Sequence, residues 1–190
     1  SSPVAQKPVN AITYCQSLSN RQNHMIQLRP AGFSDPELLQ RWDKAPHVIA
    51  AKGTEDWGWQ AELHRQPDWR EQLIAEVEGT PVGFLQIIDP ARDESHYWGE
   101  CQDGLRAIDI WIGEEAYVGC GFGKEMMELA LQRCFADERV NAILIDPMAS
   151  NTRARRFYEK LGFCLVEYRC FTKVECAVYR LDRNVWMNRS

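Results

Sequence analysis

Three alternating glycines between a β-branched strand and an amphipathic segment constrain this chain most. The stretch from Ile108 to Leu129 reads IDIWIGEEAYVGCGFGKEMMEL, and Gly119, Gly121 and Gly123 precede its amphipathic part. Glycines at this spacing let backbone N–H groups close around a ligand phosphate, and the helix that follows adds the positive end of its dipole. The stretch therefore predicts an anion-binding strand, turn and helix, although a merely flexible turn gives the same letters.

Two common nucleotide-binding motifs do not fit this stretch. A P-loop requires Gly-Lys-Ser/Thr, whereas Lys124 is followed by Glu125. A dinucleotide-binding motif opens a series of βαβ units, whereas these glycines lie beyond the middle of the chain. We therefore exclude both classes.

The strand before the glycines, Leu105 to Ile112, carries one carboxylate among mainly apolar residues. A period of two places Asp109 on the same face as Ala107 and Trp111. Burying this carboxylate without a partner would cost several kcal/mol. We therefore expect Asp109 either to be paired or to face a cleft, and a functional role is the favoured interpretation.

Length, composition and charge indicate the class of protein. The 190 residues, of which 45% are hydrophobic and 26% charged, are typical of one globular domain. We expect a loosely ordered, polar extension over residues 1–23 and a single domain over residues 24–190. The formal net charge of −5 argues against a nucleic-acid partner and is compatible with a cationic substrate.

Localisation and metal content are predicted from what the sequence lacks. No apolar run approaches the roughly 18 residues of a membrane span, and the first residues lack a signal-peptide pattern, so we expect a cytoplasmic protein without a membrane partner. Seven cysteines without a Cys-x-x-Cys pair and only four histidines do not indicate a metal site.

Strand and helix signals alternate along the chain. Apolar runs predict strands at residues 24–29, 70–78, 81–88, 105–112, 142–146, 163–171 and 174–181, with the second and third joined as a hairpin. Caps, prolines and amphipathic spacing predict helices at about residues 34–46, 54–64, 123–136 and 151–162.

A long segment between two predicted strands, Asp89 to Gly104, is rich in acidic and aromatic residues. A loop of this length in a compact domain is more often functional than idle. We expect Glu94, Trp98 and Asp103 to contribute to a rim that binds a cationic substrate. Each acid taken alone is also compatible with a simply solvated surface position.

The turn and a second motif downstream resemble the GCN5-related N-acetyltransferase (GNAT) family. The run Val118-Gly119-Cys120-Gly121-Phe122-Gly123 is similar to the Arg/Gln-x-x-Gly-x-Gly/Ala loop in which that family binds the CoA pyrophosphate. Ile145-Asp146-Pro147 and the helix from Asn151 to Phe163 are similar to its second landmark, and the order of elements agrees from about His24 to Arg183. The resemblance implies an α/β (α+β) fold: one GNAT-type domain with a mixed central sheet of about six to seven strands and about four flanking helices.

Within this family the chain looks most like the aminoglycoside 6'-N-acetyltransferases, because of Ile108-Asp109 on the central strand. The resemblance implies that Asp109 accepts the proton of the substrate ammonium and that Asp146 helps to hold the amine. Tyr158 would protonate the departing CoA thiolate, and acetyl-CoA would be the co-substrate. The residues implied at the CoA site are Trp111, Ile112, Val118, Gly119, Cys120, Gly121, Phe122, Gly123, Lys124, Asn151, Arg153 and Arg155.

Two tryptophans of the second predicted helix, Trp57 and Trp59, have two interpretations. They are either core residues, which is the more common case, or the wall of a substrate groove. Aminoglycoside enzymes often carry tryptophan shortly after the position of His47-Val48, where this chain has Ala50 and Ala51. The second interpretation would let Trp57 or Trp59 replace that wall.

Three functions are compatible with these features. The first is acetyl transfer to the 6'-amine of an aminoglycoside, which confers antibiotic resistance. The second is acyl transfer to another amine, such as the lysine side chain of a siderophore precursor. The third is a CoA-binding regulatory module without activity, against which the joint presence of Asp109, Asp146 and Tyr158 argues. In each case we expect a monomer or a homodimer.

Overall fold

The computed structural model describes residues 26–189, so the predicted N-terminal extension lies outside the described residues. The strands are β1 (Ile26–Pro30), β2 (Arg70–Val77), β3 (Thr80–Ile88), β4 (Leu105–Ile112), β5 (Ala142–Ile145), β6 (Cys164–Phe171) and β7 (Val174–Asp182). The helices are α1 (Pro36–Asp43), α2 (Pro46–Lys52), α3 (Trp59–Glu62), α4 (Phe122–Phe135), α5 (Thr152–Lys160) and α6 (Arg183–Met187). Across this part of the chain, none of the helices is both long and apolar enough to cross a membrane.

All seven strands form one mixed sheet in the order β1-β2-β3-β4-β5-β7-β6. Neighbouring strands are antiparallel except β4 and β5, which are parallel. Parallel neighbours need a crossover connection, and α4 supplies it. The predicted single mixed sheet of six to seven strands is confirmed.

The two faces of the sheet bury different clusters, and β4 contributes to both. Ile108 packs with the fully buried Met126 and Met127 of α4 on one face. Trp111 packs on the other face with Trp42 of α1 and with Trp59. The predicted period of two along β4 is therefore confirmed, and it places Asp109 on the face opposite to α4.

Tight hairpins join two of the strand pairs. Glu78 and Gly79 have φ angles of 51° and 79°, and Thr172 and Lys173 have φ angles of 43° and 75°. Positive φ at both central residues is typical of type I′ turns, whose twist matches that of the flanking strands. The predicted hairpin between β2 and β3 is confirmed. Each turn sets the register up to a bulge, which lies at Ala75/Glu76 in one pair and at Leu165/Glu167 in the other.

The helix predicted at residues 54–64 is wrong over its first half. Only Trp59–Glu62 is helical. The Asp56 carboxylate accepts a hydrogen bond from the Gly58 N–H at 2.8 Å, and Gly58 has a φ of 62°, which a right-handed helix does not allow. The local side-chain hydrogen bond therefore competes with the helix that the preceding residues predicted.

Two further helices were not predicted, so the described residues contain six helices rather than about four. Pro46 begins α2 instead of ending α1, because proline suits the first turn of a helix, where its missing N–H is not needed. The short helix α6 begins at Arg183, whose guanidinium donates to the carbonyl oxygens of Val140 at 2.7 Å and Phe135 at 3.0 Å. These long-range bonds have no local signal in the sequence.

Candidate active site

The sheet opens between its two parallel strands. β4 and β5 pair only from Leu105 to Ala107 and from Ala142 to Leu144, yet β4 continues to Ile112. Backbone groups of β4 beyond the last pair are therefore available to an extended ligand on this edge. A cavity of about 1500 Å³ lies at the opening, lined by the ends of both strands, the glycine turn and segments of residues 50–57 and 93–98.

Asp109 lines this cavity from the centre of the sheet. Its Oδ2 atom accepts a hydrogen bond from Nε2 of Gln86 at 3.0 Å, and Oε1 of Gln86 accepts one from Nε2 of Gln72 at 2.8 Å. Burial raises the pKa of Asp109 above the usual aspartate range, and the charges of Glu55 and Asp93 act in the same direction. A carboxylate with a raised pKa is well suited to accept a proton near neutral pH.

Asp146 lies at the end of β5 and lines the same cavity. Its Oδ2 atom accepts a hydrogen bond from the Tyr97 hydroxyl at 2.6 Å. Burial and the negative charge of Asp109 raise the pKa of Asp146, whereas the bond from Tyr97 acts against this rise. Two carboxylates that oppose each other's ionisation form a site for a shared proton or an ammonium group.

Tyr158 projects from α5 into the cavity and is 9% exposed. Its ring packs edge-on against Phe157 and Phe163. Burial and the charges of Asp109 and Asp146 raise its pKa, so the hydroxyl stays protonated at neutral pH. Asp109, Asp146 and Tyr158 therefore share one cavity, with two proton acceptors and one proton donor.

Acidic side chains also surround the cavity on the loop side. Asp93 is 5% exposed, and its oxygens accept hydrogen bonds from the N–H and hydroxyl of Ser95 at 2.9 and 2.8 Å. Glu94 lines the cavity and pairs with Arg65 at 3.1 Å. Trp98 lines the cavity too, whereas Asp103 is exposed and lies outside it. The structure therefore does not bring Asp103 together with the other predicted rim residues.

The glycine turn has a backbone that only glycine adopts readily. Gly119 and Gly121 have φ angles of 76° and 89°, and Gly121 is the N-cap of α4, where it offers no side chain to cap the first turn. A Cβ atom at Gly119 would lie 3.5 Å from a guanidinium nitrogen of Arg153. Lys124 and Arg153 line the cavity beside the turn, so backbone amides and cations meet at one place.

The other residues predicted at the CoA site divide into two groups. Val118, Gly123, Trp111 and Ile112 line the cavity, as does Asn151. The Asn151 side chain caps α5 by accepting from the Ala154 N–H at 3.1 Å, and it donates to the Ala50 carbonyl at 3.3 Å. The residues outside the cavity lining are Cys120, Phe122 and Arg155.

The guanidinium of Arg155 is engaged elsewhere. It donates to the hydroxyl groups of Tyr179 at 3.1 Å and Tyr168 at 2.8 Å, and to the Ala149 carbonyl at 3.1 Å. These bonds tie α5 to β6 and β7. The structure therefore does not bring Arg155 to the glycine turn, which Arg153 faces instead.

The two tryptophans with open interpretations take different positions. Trp59 is 1% exposed and its Nε1 donates to Asp43 at 2.7 Å, so it belongs to the core. Trp57 is half-buried, lines the cavity and contacts the Trp111 ring edge-on with centroids 5.3 Å apart. Trp57 therefore forms part of the cavity wall.

Three cavity residues beyond those predicted contact or influence the carboxylates: Gln86, Tyr97 and Glu55. Gln86 is a polar residue inside the otherwise apolar run from Val82 to Ile88, a signal that sequence reasoning could have used. Tyr97 lies in the aromatic loop that the sequence marked as functional, whereas Glu55 has no such signal. Only the folding of these loops over the sheet brings them to Asp109 and Asp146.

Comparison with known proteins identifies the family. A family model described as an acetyltransferase (GNAT) domain matches residues 33–170. The chain belongs to the GNAT acetyltransferase family. The GNAT fold and the resemblance predicted from the sequence are thereby confirmed, and the protein is an N-acetyltransferase.

Two relatives of the chain differ in the activity that their names state. Aminoglycoside N(6')-acetyltransferase type 1 of Klebsiella pneumoniae is 29% identical over 161 residues, 77% of this chain and 78% of that protein. Lysine N-acyltransferase MbtK of Mycobacterium tuberculosis is 32% identical over 169 residues, 82% of this chain and 76% of that protein. The structure of aminoglycoside acetyltransferase AAC(6')-Ib in complex with coenzyme A has a TM-score of 0.77 and 25% identity, covering 87% of this chain and 100% of the other.

Proposed function

We propose that this GNAT enzyme transfers the acetyl group of acetyl-CoA to the 6'-amine of an aminoglycoside. The observation that carries the proposal is the pair of carboxylates, Asp109 and Asp146, in a cavity that also contains the glycine turn. An aminoglycoside acetyltransferase is among the relatives, and another is among the similar structures.

The charge of the cavity supports a substrate with several ammonium groups. Besides the two aspartates, Glu55 and Asp93 line it, and Glu94 lines it in an ion pair with Arg65. A single amine needs only one or two carboxylates near the reacting nitrogen. Additional acids at a distance from the reaction centre are useful when further ammonium groups of the same molecule have to be bound and oriented.

The acetyl-CoA side of the cavity fits a co-substrate with phosphates and an extended arm. Backbone amides at Gly119 and Gly121, the first turn of α4 and the cations Lys124 and Arg153 suit a pyrophosphate. The unpaired edge of β4 beyond Ala107 suits the amide groups of an extended pantetheine arm. Acetyl-CoA carries the acetyl group as a thioester, which reacts directly with an amine.

In the proposed reaction the substrate ammonium first loses a proton to the Asp109 carboxylate. The neutral amine then attacks the thioester carbonyl carbon, and a tetrahedral oxyanion forms that backbone N–H groups of the β4 edge can stabilise. The C–S bond breaks and the Tyr158 hydroxyl protonates the departing CoA thiolate. The second proton of the nitrogen restores this hydroxyl, and the proton on Asp109 passes to solvent. The products are the acetamide, the free thiol of CoA and one proton released to solvent.

The test is the release of CoA thiol from acetyl-CoA with two aminoglycosides that differ only in an amine or a hydroxyl at the 6' position. We expect turnover with the 6'-amine compound only, and a mass increase of one acetyl group located at the 6' nitrogen by NMR. Acetylation of both compounds, or at another nitrogen, would contradict the proposed position.

Lysine acylation is the second candidate, because MbtK is 32% identical to this chain. The same assay with lysine derivatives and with acetyl- and longer acyl-CoA thioesters discriminates the two. Higher kcat/KM for a lysine derivative than for every aminoglycoside in the panel would replace the first function by the second.

Two cellular consequences belong to the same proposal. A host that expresses the enzyme would gain resistance to aminoglycosides that carry a 6'-amine. The enzyme would act in the cytoplasm, where acetyl-CoA is available. Measurement of growth at increasing drug concentration, with an Asp109→Asn variant as the inactive control, checks the first consequence.

A further inference from the structure

Three polar side chains form a row across the sheet that ends at Asp109. Gln72 of β2, Gln86 of β3 and Asp109 of β4 are direct cross-strand partners. Nε2 of Gln72 donates to Oε1 of Gln86 at 2.8 Å, and Nε2 of Gln86 donates to Oδ2 of Asp109 at 3.0 Å. The row is therefore a chain of hydrogen bonds in which each step points toward the carboxylate.

The buried position of Gln86 is unfavourable for a polar residue unless both the N–H and the oxygen of its side-chain amide form hydrogen bonds. Gln86 is 8% exposed, and its strand neighbours Leu85 and Ile87 are buried. A buried amide without partners costs free energy, whereas here both ends of the amide are bonded. The hydrogen bonds of Gln86 thus offset the burial of its amide, and one of them is to Asp109.

The orientation of the Gln86 side-chain amide decides whether it stabilises or destabilises the negative charge of Asp109. With its N–H group toward Asp109 it stabilises the charged carboxylate, and with its oxygen toward Asp109 it would repel that charge. Gln72 donates to the Gln86 oxygen and thereby holds the oxygen on the far side. Gln72 itself does not line the cavity.

We infer that Gln86 is a positioning residue that keeps Asp109 ionised and correctly oriented, and that Gln72 acts through Gln86 by fixing the direction of its amide. This inference rests on the proposed function, because it assigns a purpose to the ionised form of Asp109. It predicts that Gln72 influences proton transfer without touching either substrate.

The chain of hydrogen bonds from Gln72 through Gln86 favours the charged form of Asp109, whereas acidic groups that face Asp109 favour its protonated form. The carboxylates of Glu55, before α3, and of Asp93, in the loop before β4, favour its protonated form. Asp146, at the end of β5, interacts with it electrostatically, as do the hydroxyl groups of Tyr158 on α5 and Tyr97 in the loop. Gln86 is the neighbour whose hydrogen bond favours the charged form of Asp109.

The experiment compares Gln86→Leu, Gln72→Leu and the control Gln132→Leu, whose parent side chain is exposed on α4. Carbon-13 NMR of aspartate side chains, with Asp109→Asn for assignment, follows the titration of Asp109 in the ligand-free enzyme. Loss of a hydrogen bond to a charged group should move its midpoint upward by about one pH unit in Gln86→Leu. Gln72→Leu should move it in the same direction by less, and Gln132→Leu should leave it unchanged.

The pH dependence of kcat/KM gives the second measurement. We expect the acid limb to move upward in Gln86→Leu and Gln72→Leu, while the KM for acetyl-CoA stays the same. If Gln86→Leu does not fold, Gln86→Met is used in its place. An unchanged Asp109 midpoint in folded Gln86 and Gln72 variants would overturn the inference. A moved midpoint with an unmoved acid limb would support the positioning role and contradict Asp109 as the proton acceptor of the proposed function.

Discussion

The substitution Asp109→Asn tests the proposed reaction most directly. Asparagine keeps an oxygen that accepts the hydrogen bond from Gln86, so the side chain should stay in place while its charge is lost. A positioned acid–base group contributes about 10²- to 10⁴-fold to the rate. We expect a loss of about 10²-fold in kcat, at the lower end of this range, because Asp146 remains in the same cavity as a second acceptor.

The structure also predicts the direction of the pH effect. The charge of Asp109 raises the pKa of Asp146, so its removal should lower that pKa. Carbon-13 NMR should therefore show Asp146 titrating at lower pH in Asp109→Asn than in the wild-type enzyme. A variant without this shift would show that the two carboxylates do not act as a pair.

Steady-state release of CoA thiol measures the loss of kcat. Asp103→Asn is the matched control, because it removes the same charge from an exposed residue outside the cavity. Thermal unfolding and the KM for acetyl-CoA report whether fold and cofactor binding are intact. Wild-type turnover in Asp109→Asn would refute the assignment of the proton acceptor.

The remaining predictions use the same assays. Burial raises the pKa of Asp109 in the folded protein, so ionisation of Asp109 opposes folding at higher pH. Calorimetry should therefore show a higher Tm for Asp109→Asn than for the wild-type enzyme at about pH 8, and no difference at about pH 4. Tyr158→Phe should lower kcat about tenfold or more with little change in Tm, since the ring and its contacts remain; a collapse of Tm with normal turnover would make it a core residue only. Arg153→Ala should raise the KM for acetyl-CoA in a salt-dependent way, whereas Arg155→Ala should lower the Tm and leave this KM unchanged.

Much of the fold could be predicted from local patterns in the sequence. The alternation along β4, the hairpin at Glu78-Gly79 and a cap at Ser150 or Asn151, of which the structure uses Asn151, each depend on residues close together in the chain. Apolar periodicity and turn chemistry act over a few residues, and a single sequence contains that information. For the same reason the glycine turn and its helix were found where the structure has them.

Local patterns failed in two ways, through a competing local hydrogen bond and through distant contacts. The segment before Trp59 has helix-favouring residues, yet a turn at Asp56 and Gly58 replaces the helix. Arg153 and Arg155 look equivalent in the sequence. In the structure, Arg155 donates hydrogen bonds to Tyr168 of β6 and Tyr179 of β7, whereas Arg153 does not. Which arginine faces the glycine turn is therefore a property of the packed sheet.

The sequence by itself determined which residue types the site contains: Asp109 on a buried strand, Asp146 at a strand end and Tyr158 on the following helix. Only the tertiary structure decided how they act together. The opening between β4 and β5 brings the two carboxylates into one cavity, and the Tyr97 hydroxyl of the loop donates a hydrogen bond to Asp146. Proton affinities depend on burial and on charges from every element around a group, and these distances exist only once the chain has folded.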